Sequence, residues 1–466
     1  MQTQVEPAGG NERGSGRGPR ALPIRLARAV ALGLLLAPAA GASAADLLEI
    51  FRAARAADAQ YAAARATWNA AQEKLPQGLA GLLPSVALSA STQYTDRDLR
   101  PRDPAATSGG ISRFNSNAIT LSITQPLYRP QNLAAYEQAK TQVGQADAVL
   151  AQAEQDLILR VAQAYFDVLL AQDSVAFAQA QLEAIGQQLE QAKRNFEVGT
   201  ATITDTHEAQ ARYDITLASE IAARNDLEVK RRALAAIIGR AAPGLAPLGP
   251  QFSLRPPDPD NMERWVEAAQ RANPQVRIAE AGLAFAAQEV ERHRAGHRPT
   301  LDAFASYSDT GSGSGIQGGF GSDATSKVIG LQLAVPLYQG GAVSSRVREA
   351  LANEERARQD LENARRNAEL AARQAFLGVS NGLAQVRALE AALLSSQSSL
   401  DSTRLGQEVG VRTQVDVLNA QQQLFQTRRD LAQARYNYIL SLLRLKAAAG
   451  GLSEQDLATA NAWLQR

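Results

Sequence analysis

From Gln131 to Phe196 the chain runs without a proline, and its apolar residues return every three or four positions. Leu157, Val161, Ala164, Val168, Ala171, Val175, Ala178, Leu182, Ile185, Leu189, Ala192 and Phe196 form one seam, spaced alternately by four and three. A second seam runs through Val417, Ala420, Leu424, Thr427, Leu431, Ala434, Tyr438, Ser441 and Leu445. A sustained 3.5-residue repeat specifies left-handed supercoiled packing against other helices. At 1.5 Å per residue the first segment predicts a rod of about 100 Å. Hydrophobic residues make up 45% of the chain but aromatics only 5%. The packing is therefore built from alanine, leucine and valine, and alanine at alternate seam positions lets helices approach closely. A solvated coiled-coil stalk would show the same seams, so periodicity alone leaves that possibility open.

The rod is written twice. Val198-Gly199-Thr200-Ala201-Thr202-Ile203-Thr204-Asp205 recurs as Val409-Gly410-Val411-Arg412-Thr413-Gln414-Val415-Asp416, at an offset of 211. Gln125-Pro126-Leu127-Tyr128 answers Val335-Pro336-Leu337-Tyr338 at 210. Leu83-Pro84-Ser85 answers Arg298-Pro299-Thr300, and Asp58-Ala59-Gln60 answers Asn273-Pro274-Gln275, both at 215. The change from 215 to 210 places a length difference between the two strands of each half, where loops vary. The repeats are read as 45–241 and 261–449, each running helix, strand, loop, strand, long helix, tight turn, helix. The Pro-rich linker 242–260 joins them, and 450–466 forms a C-terminal tail. At the other end, Arg25 and Arg28, the apolar run Ala29–Ala40 and Ala42-Ser43-Ala44 read as a signal peptide over 1–44.

Between the helices lie alternating segments. Val86, Leu88, Ala90 and Tyr94 alternate with Ala87, Ser89, Ser91 and Gln93; Ile119, Leu121 and Ile123 with Thr120, Ser122 and Thr124. Leu301, Ala303, Ala305 and Tyr307 alternate with Asp302, Ser306 and Ser308, with Phe304 off the pattern; Ile329, Leu331 and Leu333 alternate with Gly330, Gln332 and Ala334. About ten residues with one apolar face is the length of a tilted bilayer-spanning strand. Tyr94, Tyr128, Tyr307 and Tyr338 stand near the strand ends, where interfacial aromatics are expected. Thr95–Arg113 and Asp309–Thr325 are predicted to be long polar loops facing the cell exterior. Four strands cannot close a barrel, and open edges are not tolerated in hydrocarbon, so several copies must contribute to one barrel.

These residues resemble the TolC family of trimeric outer-membrane channel-tunnels over most of the chain, about Asp46 to Leu464. The most specific pieces are Phe196–Asp205 and Val409–Leu418, with Ala434–Tyr438 and Gly451–Asp456 in support. Asp46-Leu47-Leu48 and Leu82-Leu83-Pro84 are similar to the type I secretion branch. With no cysteine in the chain, the branch of lipoproteins acylated on an N-terminal cysteine does not fit. The resemblance implies an α+β membrane protein: a long coiled-coil α-helical barrel continuous with a transmembrane β-barrel of four strands per protomer and twelve per homotrimer. It implies a passive duct in the outer membrane of a Gram-negative bacterium, extending into the periplasm. The duct would serve type I protein secretion or small-molecule efflux. Its partners would be the lipid bilayer, a periplasmic adaptor and an inner-membrane ABC or proton-driven pump. The alternative is a periplasmic coiled-coil adaptor or scaffold, which lacks bilayer-length strands duplicated in both halves.

No enzyme motif, cofactor site or metal site is expected. Lys and Arg total 48 against 47 Asp and Glu, a balance that argues against nucleic-acid binding. No serine stands in a nucleophile-elbow context. The glycines at 311, 313, 315, 318, 319 and 321 lack the lysine and following helix of a phosphate loop. His293 and His297 have the spacing of a helical zinc pair, but Arg292, Arg294 and Arg298 surround them and disfavour a cation. His207 reads as solvated.

The turns between the long helices hold the candidate site. Gly199 and Gly410 suit the left-handed position that ends a helix. Thr202 with Asp205, and Thr413 with Asp416, are capping-box patterns, so helix capping alone accounts for both aspartates. The resemblance implies a second role, gating. Arg412 would link to Thr204 and Asp205 of a facing hairpin, and Asp416 would line the pore constriction. Gln407 stands where tightly closed relatives have tyrosine, and Asn419 where they have a second ring aspartate, which implies weaker closure and weaker cation binding.

Overall fold

A computed structural model describes residues 44–102, 110–314 and 320–465. The signal peptide, but for Ala44, lies outside the described residues. Helices α1 (Leu47–Ala57), α2 (Ala59–Gln72) and α3 (Lys74–Ala80) lead into strands β1 (Ser85–Leu99) and β2 (Gly110–Tyr128). The long helix α4 (Pro130–Glu197) and α5 (Ile203–Ile238) complete the first half. The second half has α6 (Met262–Ala272), α7 (Pro274–Arg294), β3 (Thr300–Ser314), β4 (Phe320–Ala334), α8 (Ala342–Glu408), α9 (Gln414–Ala448) and a short α10 (Glu454–Asn461). None of the described helices is long and apolar enough to cross a membrane.

The breaks between the short helices come from their caps. Asp58 ends α1 and starts α2, its Oδ1 accepting from the Tyr61 amide at 2.7 Å. Asn273, its counterpart in the second half, starts α7 by accepting from the Gln275 amide at 2.9 Å. The two diverge in what else they hold. Asp58 receives both terminal nitrogens of Arg160 on α4, at 3.0 and 3.2 Å. Asn273 instead donates to the Ala448 carbonyl at the end of α9, at 2.9 Å.

The heptad seams bury as expected at Leu157, Val161, Val168, Ala171, Ile185, Leu189 and Ala192 of α4, and at most positions of α9 from Val417 to Leu445. Phe196 departs from the seam and is exposed, because the chain is already turning there. The largest core lies midway along the helices, where Phe166 stacks on Tyr436 with ring centroids 5.6 Å apart. Two buried tyrosines fasten the irregular stretch after α5 to this core. Tyr165 Oη donates to the Ala246 carbonyl at 2.8 Å, and Tyr438 Oη accepts from the Arg255 amide at 3.1 Å. The tail joins in: Gly249 N donates to Trp463 O, and Gln465 N to Pro247 O. Backbone groups in a strap with no regular structure must find partners somewhere, and here the tail and the tyrosines supply them.

The four strands form one antiparallel sheet in the order β1-β2-β3-β4. Its register carries the alternation across all four. Val86 pairs with Ile123, Ile123 with Ala305 and Ala305 with Ile329; Leu88, Leu121, Tyr307 and Lys327 form the next row on the same face. The large apolar side chains of this face are exposed, Ile329 at 88% and Leu88 at 71%. The other face of β2 is small and polar (Ser116, Ala118, Thr120, Ser122) and half-buried. Phe304 belongs to that polar face. It pairs across strands with Gly330, where a Cβ would come within 2.8 Å of its ring, so the ring covers the site that glycine leaves open.

Among the described residues, much of the two polar segments is strand rather than loop. Pairing continues from Thr95 with Phe114 to Leu99 with Gly110, and from Asp309 with Thr325 to Ser314 with Phe320. Glycine and aspartate, frequent in these stretches, are disfavoured in strands, but each added pair completes backbone hydrogen bonds beside an existing ladder. The bilayer-sized strands therefore grow to 15, 19, 15 and 15 residues. Below the sheet, Arg129 at the start of α4 grips the buried Asp302 of β3 with two parallel bonds of 2.8 and 2.7 Å, tying strand to helix in a geometry that only arginine offers.

Candidate functional site

The two hairpin tips are built alike. Gly199 and Gly410 both take positive φ, +79° and +78°, the left-handed conformation that costs other residues energy. In the first tip the Asn195 carbonyl accepts from the Thr200 and Ala201 amides; in the second, Gly406 O accepts from Val411 and Arg412 N. Thr202 and Thr413 then start α5 and α9 with complete capping boxes. Asp205 Oδ2 takes the Thr202 amide and hydroxyl, both at 2.9 Å, and Asp416 Oδ2 takes those of Thr413 at the same distances. The Thr413 amide and hydroxyl, with Arg412 nearby, hold the Asp416 carboxyl below the usual carboxylate range. It is therefore ionised throughout the neutral range.

The turns differ in one respect. Gly406 stands where the first tip has Asn195, and a Cβ there would lie 2.7 Å from Arg412 Cγ. Glycine thus lets the Arg412 stem lie against the end of α8, with its guanidinium free at the tip. Among the described residues the Arg412 side chain makes no hydrogen bond or ion pair, and it does not reach Thr204 or Asp205 of its own chain. Thr204 is exposed in the first turn of α5, and Asp205 is occupied by its cap.

Other contacts bring the two hairpins together. Gln407 donates to Gln414 Oε1, and Gln414 donates to Gln188 Oε1 on α4 at 2.5 Å. This relay joins the end of α8, the start of α9 and the first hairpin. Asn419 accepts from Arg212 Nη2 of α5 at 3.1 Å, and Gln422 from Arg212 Nη1 at 3.1 Å. Sequence reasoning missed Gln188, Gln414, Gln422 and Arg212. In a chain rich in glutamine and arginine none of them stands out, and each acquires its partner only when the hairpins pack.

The histidines do not form a pair. Helix α7 ends at Arg294, and His297 lies in a tighter turn beyond it, Ala295–His297. His293 Nε2 instead contacts Glu289 Oε1 at 2.9 Å. Among the described residues no group of three or more metal-binding side chains converges.

Comparison with known proteins places this architecture. Residues 50–240 and 265–451 match the outer membrane efflux protein family, so each half of the duplication matches separately. Over 422 residues the chain is 36% identical to the outer membrane protein TolC of Vibrio cholerae, covering 90% of this chain and 94% of that protein. It is 32% identical to the proteases secretion protein PrtF of Dickeya chrysanthemi, covering 94% and 95%. The crystal structure of the Campylobacter jejuni CmeC outer membrane channel superimposes with a TM-score of 0.74 at 17% identity, covering 90% of each chain. These relatives are channels and secretion proteins rather than enzymes, and they displace the alternative of a periplasmic adaptor. The chain belongs to the outer membrane efflux protein family, as an outer-membrane export duct for type I secretion or efflux that extends into the periplasm.

Proposed function

We propose that three copies of this chain close into one passive duct, each giving four strands to a twelve-stranded barrel and its long helices to a periplasmic tunnel. The observation that carries the reading is the sheet. It has an exposed apolar face and two unpaired edges, β1 and β4, and an unpaired edge in hydrocarbon leaves backbone groups without partners. Pairing β4 of one copy with β1 of the next removes every edge at once. Exposed apolar side chains on the outer helices, Ile215, Ile221 and Val229 on α5 and Leu370, Leu377 and Leu394 on α8, support the same lateral contact between copies.

In this reading the repeats 45–241 and 261–449 are the two halves of the wall. The linker 242–260 and tail 450–466 form a belt around it. The hairpin tips, turning at Gly199 and Gly410, form the closed periplasmic end. Arg412 reaches Thr204 and Asp205 of a neighbouring copy, Gln407 closes within the copy through Gln414, and Asp416 and Asn419 line the constriction. A periplasmic adaptor engages the tips, and an inner-membrane ABC or proton-driven pump supplies energy to a duct that carries no cofactor. The test is the oligomer: the full chain, extracted from outer membranes in mild detergent, should run as a trimer by light scattering and conduct ions in planar bilayers. A monomer or dimer with no conductance would refute the reading.

A further inference from the structure

We infer that Arg212 is a selectivity-determining residue of the duct, placing a fixed positive charge beside Asn419 at the narrow end. The inference rests on the placement of the hairpin tips at the constriction. Arg212 projects from α5 and spans Asn419 Oδ1 and Gln422 Oε1 of α9, each at 3.1 Å. The two acceptors are three residues apart and so share one helix face. A guanidinium fork fits two such acceptors at once. Both acceptors are neutral amides, so the bonds fix the position of the charge without cancelling it. Among the described residues no carboxylate lies within ion-pair distance of Arg212. The cleft it lines, about 230 Å³ between α4, α5 and α9, also contains Arg429 and has no aspartate or glutamate in its wall. One turn nearer the tip, the Asp416 carboxylate is ionised. The entrance therefore carries opposed charges at two levels, negative at the tip and positive just above it.

This arrangement changes what an acid at position 419 does. Aspartate there would meet the Arg212 fork and pair with it, cancelling the positive charge rather than adding an unopposed negative one. The effect of Asn419→Asp thus depends on Arg212, a coupling of residues in contact that a double-mutant cycle reads directly.

The experiment measures the potassium-to-chloride permeability ratio of the assembled full-length channel in planar bilayers. Arg212→Gln, which keeps an amide able to bond Asn419, is expected to raise the ratio about threefold through loss of one charge per copy. Arg212→Lys should leave it near the starting value. Asn419→Asp should match Arg212→Gln, since both remove the unopposed charge, and the double variant should reach about tenfold. An Arg212→Gln channel with an unchanged ratio, while Asp416→Asn lowers it, overturns the role of Arg212 and leaves the constriction reading standing. No change in either overturns both. Should Arg212→Gln not assemble, Arg212→Met takes its place: a raised ratio is expected, and a ratio at the wild-type value overturns the inference.

Discussion

Replacing Asp58 tests how the duct's short outer helices are held against the long ones. Its side chain is 6% exposed and does two jobs: it caps α2 through the Tyr61 amide and receives two bonds from Arg160. Asparagine caps a helix as well as aspartate does, and Asn273 performs that task in the second half of this chain. Asp58→Asn therefore removes the charge and one Arg160 bond while keeping the cap. A hydrogen bond to a charged group contributes about 1.5–3 kcal/mol. Arg160 is one-third exposed, so water replaces part of the loss, and about 1.5 kcal/mol is expected. Asp58→Ala removes the cap as well, adding about 1 kcal/mol, and deepens the isolation of Arg160, whose Nε is already buried without a partner. Hydrogen exchange of the peptide covering the first turns of α2 reads both steps. At 1.4 kcal/mol per tenfold, exchange should quicken about tenfold in Asp58→Asn and about sixtyfold in Asp58→Ala. The acid dependence supplies a second check. Burial pushes the Asp58 carboxyl up, but Arg160 and the Tyr61 amide outweigh it and hold the group below its ordinary 3.8. A depressed acid stabilises the fold fully above its unfolded value and loses that contribution as pH falls through its folded one. The difference between wild type and Asp58→Asn should thus be constant above about pH 5 and shrink below about pH 4. Equal exchange in wild type and Asp58→Asn at neutral pH would refute the ion-pair argument, and equal exchange in the two variants would refute the cap.

Two further outcomes are expected. Asp416→Asn should abolish block of the channel by trivalent cations added on the periplasmic side, because the proposed trimer would then lose its ring of carboxylates; survival of the block in assembled channels would leave Asp416 as a helix cap alone. Because the chain has no cysteine, Arg102→Cys and Phe320→Cys, at exposed ends of the two strand pairs, should react with a membrane-impermeant thiol reagent on intact cells. Labelling only after permeabilisation would reverse the proposed orientation.

What the sequence alone determined is whatever depends on neighbours within about one or two turns. The 3.5-residue seams from Leu157 to Ala192 and from Val417 to Leu445, the two-residue alternation about Val86–Ala90 and Ile119–Ile123, the left-handed glycines and the Thr–Asp caps are all local patterns. Each depends on atoms within about four residues of one another, so composition and spacing suffice. The offset of 211 further tied the two tips to one design. Tertiary structure decided the rest. Thr95–Leu99 and Asp309–Ser314 became strand because a paired neighbour extended the ladder past any local preference. Gly330, opposite Phe304 across the β3–β4 ladder, makes room for that ring on the polar face. Asp58 and Asn273 share a cap yet hold different partners, an arginine in one half and a helix-end carbonyl in the other. The relay from Gln407 through Gln414 to Gln188, and the fork of Arg212 on Asn419, join residues more than two hundred positions apart. Such pairs carry no periodicity, because their geometry exists only after two rods, each helical by its own sequence, have packed side by side and brought the same height on each into register.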